Sequence, residues 1–209
     1  MEILSYVLSG ELSHTDNQGN AGIIRNGDIQ RMTAGTGIMH SEFNASKTDP
    51  VHFLQIWIVP GKRGVPPRYE DRGFPIAKRQ NRLCLVASPD EAEGSLSIDQ
   101  DVRVYAATLD AGKEVSLDIG QGRAVWVQAA KGTISVGHGF TAAPPPKKGA
   151  TAPEASGTSE GSAGVAGAGL ECAGAWTELE AGDGAALQGE RKIAVRAESG
   201  AEVLVFDLA

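Results

Sequence analysis

The feature that most constrains the fold of this chain is the rhythm of its N-terminal part, where short runs of alternating polarity are cut at regular intervals by Gly, Asn and Asp. Over residues 2–10, Glu2, Leu4, Tyr6 and Leu8 fall on one face and Ile3, Ser5 and Val7 on the other, which is the two-residue period of a strand. A second run, 11–15, leads into the turn signal Asp16-Asn17-Gln18-Gly19-Asn20. Residues 21–25 form a third run, closed by the hairpin turn Asn26-Gly27-Asp28. Runs 29–33 and 38–43 flank Ala34-Gly35-Thr36-Gly37, where glycine permits positive φ. The continuous apolar run 51–59, VHFLQIWIV, predicts a central, buried strand. Short, evenly spaced strands with turn punctuation predict an antiparallel sandwich or barrel.

Residues 60–75 break the rhythm with Pro60, Gly61, Gly64, Pro66, Pro67, Gly73 and Pro75, and read as an interdomain connection or ordered loop without a strand. Strand-like runs resume at 83–87 and continue at 95–98, 102–109, 115–119, 124–130 and 132–136, then at 185–187, 193–197 and 203–208. The chain therefore divides into a first β unit over 1–73 and a second over 74–209. Within the second, residues 142–175 collapse to Ala, Gly, Pro, Ser, Thr and Glu, a composition that cannot offset its ordering entropy, and read as a disordered insertion.

Composition fits this class. Of 209 residues 27 are glycine and only 5% are aromatic, which suits a turn-rich β protein more than a helical bundle. The net charge of −7 and the absence of a basic patch argue against direct nucleic-acid binding and leave a protein partner open. No apolar run approaches the roughly 20 residues needed to span a bilayer, and no signal peptide opens the chain. Cys84 sits in an apolar run and reads as a buried thiol, while Cys172 lies in the low-complexity stretch. A disulfide framework is not expected, and a reducing cytoplasm is.

The chemistry concentrates in residues 26–43, NGDIQRMTAGTGIMHSEF. His40 and Glu42, two apart on a strand, project from one face about 7 Å apart. An imidazole and a carboxylate so placed form half of a site for a first-row transition metal. His14, on a short polar strand beside a turn, reads as a surface or hydrogen-bonded residue. His52 shares a face with Leu54, Ile56 and Ile58 and reads as a core histidine; His138, between two glycines, reads as exposed. Glu2 is an inward carboxylate in need of a partner if its face is the core, and solvated if the chain end frays. No nucleophile elbow, P-loop, dinucleotide fingerprint or CxxC motif occurs, and the second unit, with no histidine beyond His138, is expected to be metal-free.

The segments MEILSYVLSGELSHTDNQGN, GDIQRMTAGTGIMHSE, VHFLQIWI and PRYE together resemble the pirin family, double-barrel cupins, most closely its bacterial members described as quercetin 2,3-dioxygenases. The terminal VLVFDL is consistent with this, and 142–175 has no counterpart in the family pattern. The resemblance implies two cupin-type β-barrels and one metal, usually iron (Fe2+), in the first barrel, held by three histidines and one glutamate. The last two of these ligands fall on His40 and Glu42. The other two belong to an H-P-H tripeptide upstream of M-E-I-L, a sequence that opens this chain. Two readings follow: Met1 is an internal methionine of a longer protein, or the product is a truncated relative. The retained turns and half-site favour the first. The implied activity is O2-dependent ring cleavage of a flavonol such as quercetin, with Glu42 also accepting the substrate proton. With two of four ligands, weak iron binding, impaired turnover and a tendency to associate are expected. The rival reading is a non-catalytic regulator acting through protein partners.

Overall fold

In the computed structural model, which describes residues 1–139 and 175–209, the alternation of the first sixteen residues becomes two consecutive strands joined at Gly10. The first unit contains β1 (Glu2–Ser9), β2 (Glu11–Asp16), β3 (Ala21–Arg25), β4 (Asp28–Thr33), β5 (His40–Asn44), β6 (His52–Ile58) and β7 (Arg68–Gly73). After the short helix α1 (Ile76–Arg79) come β8 (Cys84–Ser88), β9 (Leu96–Ser97), β10 (Val102–Leu109), β11 (Glu114–Asp118), β12 (Ala124–Lys131) and β13 (Ile134–His138). The chain closes with β14 (Ala175–Leu179), β15 (Gly184–Gln188), β16 (Lys192–Ala197) and β17 (Ala201–Leu208). None of the described helices is long and apolar enough to cross a membrane.

Four sheets make two cupin barrels. In the first unit the sheet β6-β1-β4-β7 faces the sheet β3-β2-β5; in the second, β15-β12-β17-β10-β8-β9 faces β11-β16-β13-β14. Strand alternation explains how each sheet serves two interiors. Leu4, Tyr6 and Leu8 of β1 pack into a core shared between the units, with Val104, Leu204 and Phe206. Val7, on the opposite face of β1, packs instead with Leu12 and Ile24 inside the first barrel. The second barrel has its own core around Val127, Ile134, Val195 and Val205.

A charged cluster pins this shared core. Arg79 is 1% exposed and donates to Tyr6 Oη, to Glu202 Oε2 (3.3 Å) and to Asn26 Oδ1 (3.3 Å). Tyr6 donates to the same Glu202 oxygen (2.9 Å), and Lys131 Nζ bridges Glu202 Oε1 (3.1 Å) to the Leu8 carbonyl (2.6 Å). Burial, followed by the Glu202 charge, pushes the Tyr6 phenol well above its usual range, so it stays a donor at any physiological pH.

The barrels repeat one plan. Glu2 pairs with Thr33 and Ile58 in the first unit as Ala124 pairs with Gln188 and Leu208 in the second. Leu12 opposes Asn44 as Ile134 opposes Ala197. Gly10 and Gly132 occupy the same corner with φ of 76° and 72°, each against backbone (Pro50 and Gly200) that a Cβ would strike.

Several expectations need correction. Residues 60–75 contain a strand, β7, paired along its length with β4. Its residues, RYEDRG, carry no apolar alternation because ion pairs take that place: Arg31 to Glu70 (3.0 Å), and Arg72 to the same carboxylate. Among the described residues, β6, which carries most of that apolar run, lies at a sheet edge and not in its centre, with Trp57 61% exposed. His52 is exposed, because the bulge between Val7 and Ser9 turns the start of β6 away from the core. Cys84 and His138 are half-buried. Glu2 is fully buried, which resolves its alternatives in favour of the inward carboxylate; Thr33 Oγ1 donates to it at 2.9 Å. The Ala/Gly/Pro/Ser-rich insertion at 142–175, with Cys172, lies outside the described residues but for its last position, Ala175, which opens β14.

Candidate metal centre

The site is built on the ladder between β2 and β5. His14 is directly opposite Glu42 and Asp16 directly opposite His40, so these four polar side chains leave one face of the sheet toward the barrel interior. Gly35 brings the preceding turn against the Val65 carbonyl, too close for any Cβ, and Thr36 donates to that carbonyl at 2.9 Å. This contact anchors the loop that delivers His40.

His40 and Glu42 are therefore brought together as their spacing predicts, and His14 joins them. One ligand atom from each of His14, His40 and Glu42 lies within 4.8 Å of the others. His14 is fully buried, which excludes the surface alternative of its reading and leaves the hydrogen-bonded one. Its alternation with Leu12 and Asp16 on β2 was the available signal, but the strand is so polar that it read as solvated. His14 Nδ1 lies 3.8 Å from Glu42 Oε1 and Nε2 lies 3.5 Å from Asp16 Oδ2. Tyr69 stacks on the imidazole at 4.7 Å between centroids with an interplanar angle of 21°.

The inner face of the opposing sheet holds Glu42. Gln30 Nε2 donates to Oε1 at 2.8 Å, Ser5 Oγ to the same oxygen at 3.3 Å, and Gln55 Nε2 to Oε2 at 2.6 Å. Gln55 is itself fixed by Trp57 Nε1, which donates to its Oε1 at 2.9 Å. Asp16 is occupied elsewhere: burial pushes its carboxyl up, but hydrogen bonds from Asn20 and Gln18 outweigh this and hold it below the usual range. Burial above all, with nearby acidic groups, raises the Tyr69 phenol, which stays neutral.

The donor set fits a divalent transition metal. Nδ1 of His40 is buried without a hydrogen-bond partner, and the His14 ring has only its long contacts to Asp16 and Glu42, an arrangement costly for polar atoms unless something binds them. Two imidazoles with one carboxylate form a mixed nitrogen and oxygen shell that suits such ions. In the second barrel the positions of His14 and Glu42 are taken by Val136 and Val195, and Ile193 stands two residues before Val195 as His40 does before Glu42. All three are buried apolar side chains.

Comparison with known proteins agrees with this architecture. A family model described as Pirin matches residues 1–58, and one described as Quercetinase C-terminal cupin domain matches 85–142 and 160–208. The chain is 35% identical over 208 residues to the quercetin 2,3-dioxygenase of Escherichia coli strain K12, covering 100% of this chain and 72% of that protein. It is 38% identical over 138 residues to a pirin-like protein of Caulobacter vibrioides, covering 65% of this chain and 59% of that one. Among solved structures, it matches YhhW from Escherichia coli with a TM-score of 0.76 and 34% identity, covering 100% of this chain and 71% of that one. The bacterial pirin YhhW in complex with nickel(II) matches with a TM-score of 0.74, 35% identity and coverage of 100% and 72%. The chain belongs to the pirin family.

Proposed function

We propose that this chain is a metal-dependent dioxygenase of the pirin type, cleaving a flavonol such as quercetin with O2. The observation that carries the reading is the convergence of His14, His40 and Glu42, one ligand atom of each within 4.8 Å of the others, with Nδ1 of His40 buried and unpartnered. In this reading His40 and Glu42 are the metal-binding pair, His14 is a further donor beside them, and iron (Fe2+) is the ion expected in use. The nickel complex of a relative supports a divalent ion. When bound, the metal supplies Lewis-acid and template chemistry.

The chain's own residues do the remainder. Gln30, Ser5 and Gln55 aim the Glu42 carboxylate, and its oxygen takes the proton of the flavonol hydroxyl. Trp57, two hydrogen bonds from Glu42, offers an exposed aromatic face to a flat substrate. Tyr69, neutral and stacked on His14, fixes that ring. Of the four ligands of the family pattern only His40 and Glu42 fall within residues 1–209, and turnover by this stretch alone is expected to be impaired. The test is anaerobic loading with Fe(II), followed by measurement of bound iron and of O2-dependent loss of quercetin absorbance. Iron bound weakly, with slow O2-dependent loss of quercetin, supports the reading; stoichiometric iron overturns the expected impairment, and bound iron without turnover favours the regulatory alternative.

A further inference from the structure

The segment PRYE places one aromatic ring between two ion-paired neighbours. Arg68 reaches Asp99 and Glu70 reaches Arg31 (3.0 Å), while Tyr69, between them on β7, turns to the other face of the sheet, opposite Met32 of β4. Among the described residues β7 is an edge of its sheet and β3 an edge of the facing one. The Tyr69 side chain bridges this seam. Its ring lies on the imidazole of His14, 4.7 Å between centroids and 21° between planes, and its hydroxyl is shielded from solvent. His14 in turn meets the His40 ring at 5.6 Å and 31°. Three rings thus follow one another from β7 to the metal-binding pair.

Gly22 makes room for this arrangement. It stands opposite His14 on β3, and a Cβ there would come within 3.2 Å of the Tyr69 hydroxyl, closer than ordinary van der Waals contact. Glycine inside a strand costs stability and marks a close approach. The second barrel replaces both partners. Val136 has the place of His14, and Thr177, opposite it on β14, has the place of Gly22. The histidine and the glycine give way together to two β-branched residues.

We infer that Tyr69 is a positioning residue of the metal centre, seated by the missing side chain at Gly22, and that it acts through His14. This role rests on the reading of His14, His40 and Glu42 as a metal centre. The nitrogens of His14 have only long contacts, 3.5 Å to Asp16 and 3.8 Å to Glu42. The bond that turns an imidazole has a broad, shallow preference, so two such contacts leave the ring free to swing unless one face is held. The Tyr69 ring holds that face and keeps Nδ1 directed at Glu42.

Titration calorimetry with Ni(II), on the whole chain and its variants, tests this. Tyr69→Leu should weaken Ni(II) binding at least about tenfold, as loss of a group that orients a ligand does. Tyr69→Phe keeps the ring and should bind nearly as the wild type does. Gly22→Ala should weaken binding in the presence of Tyr69, because the added methyl pushes the hydroxyl and with it the ring. In the Tyr69→Phe background, where the hydroxyl is gone, Gly22→Ala should have no effect. A merely structural role would give additive losses that follow the thermal midpoints. A second readout needs no metal: the His14 ring protons, observed by NMR in the metal-free chain, should lie upfield in wild type and Tyr69→Phe and move downfield in Tyr69→Leu. Equal Ni(II) affinity of wild type and Tyr69→Leu, additive effects of Gly22→Ala and Tyr69→Phe, or unshifted His14 protons overturn the role of Tyr69 alone. A wild-type chain that binds no Ni(II) overturns the metal reading and this role with it.

Discussion

His14 and Glu42 face each other across the β2–β5 ladder, with Nδ1 of one 3.8 Å from Oε1 of the other, so neither can be changed without leaving the other unbalanced in a buried wall. His14→Gln keeps the approximate size but removes an imidazole donor. Occupancy by Ni(II) or Fe(II) after dialysis, read by elemental analysis, should fall at least about tenfold. Equal occupancy in wild type and variant would remove His14 from the donor set.

Gln55 acts on Glu42 without belonging to that set. Gln55→Leu removes the 2.6 Å bond to Oε2 and should lower metal affinity by roughly 10-fold or more, as loss of a group that orients a ligand does. Because Gln55 is exposed, the thermal midpoint should hardly move. A large loss of stability with unchanged metal affinity would show that it only supports the fold.

Glu2 sets a pH dependence. Burial raises its carboxyl above the ordinary value, against the Thr33 hydrogen bond. The folded chain therefore keeps a proton that the unfolded chain releases just above pH 4.5. That contribution is fully present below the unfolded value and is lost as pH rises through the folded one. Glu2→Gln should stabilise the protein by on the order of 1 kcal/mol at pH 7 and by little at pH 4, measured by denaturant melts. A greater gain at pH 4 would contradict the assignment.

Arg79 tests the join between the units. Arg79→Met leaves Glu202 with Lys131 and Tyr6 and removes the buried cation they share, so a loss of about 3 kcal/mol is expected. The double variant Arg79→Met, Glu202→Leu should recover part of it, since a buried carboxylate short of one of its partners costs more than an apolar side chain in its place. Scanning calorimetry of the three proteins measures this directly; a single variant as stable as wild type would show that the cluster is not a fastening.

The all-β class, most strands of the first barrel and the proximity of His40 and Glu42 were legible because alternation, turn residues and the HSE motif are all local signals. β7 was not, since its alternation is in charge and its partner Arg31 is far away in sequence. The rank of β6 was misread for a similar reason. An unbroken apolar run marks burial, but here one face of the strand packs on the second unit while the other, with Trp57, stands open. His14 was missed because only the cross-strand register, which no single strand displays, places it opposite Glu42.

The replacement of the polar set by Val136, Ile193 and Val195 in the second barrel gives the molecule an internal blank. The same backbone frame exists twice in one chain, once with ligand chemistry and once without, under identical solvent, temperature and oxidation state. Spectroscopic or calorimetric signals from added metal can therefore be assigned to a barrel by transplanting side chains in either direction, with no separate reference protein.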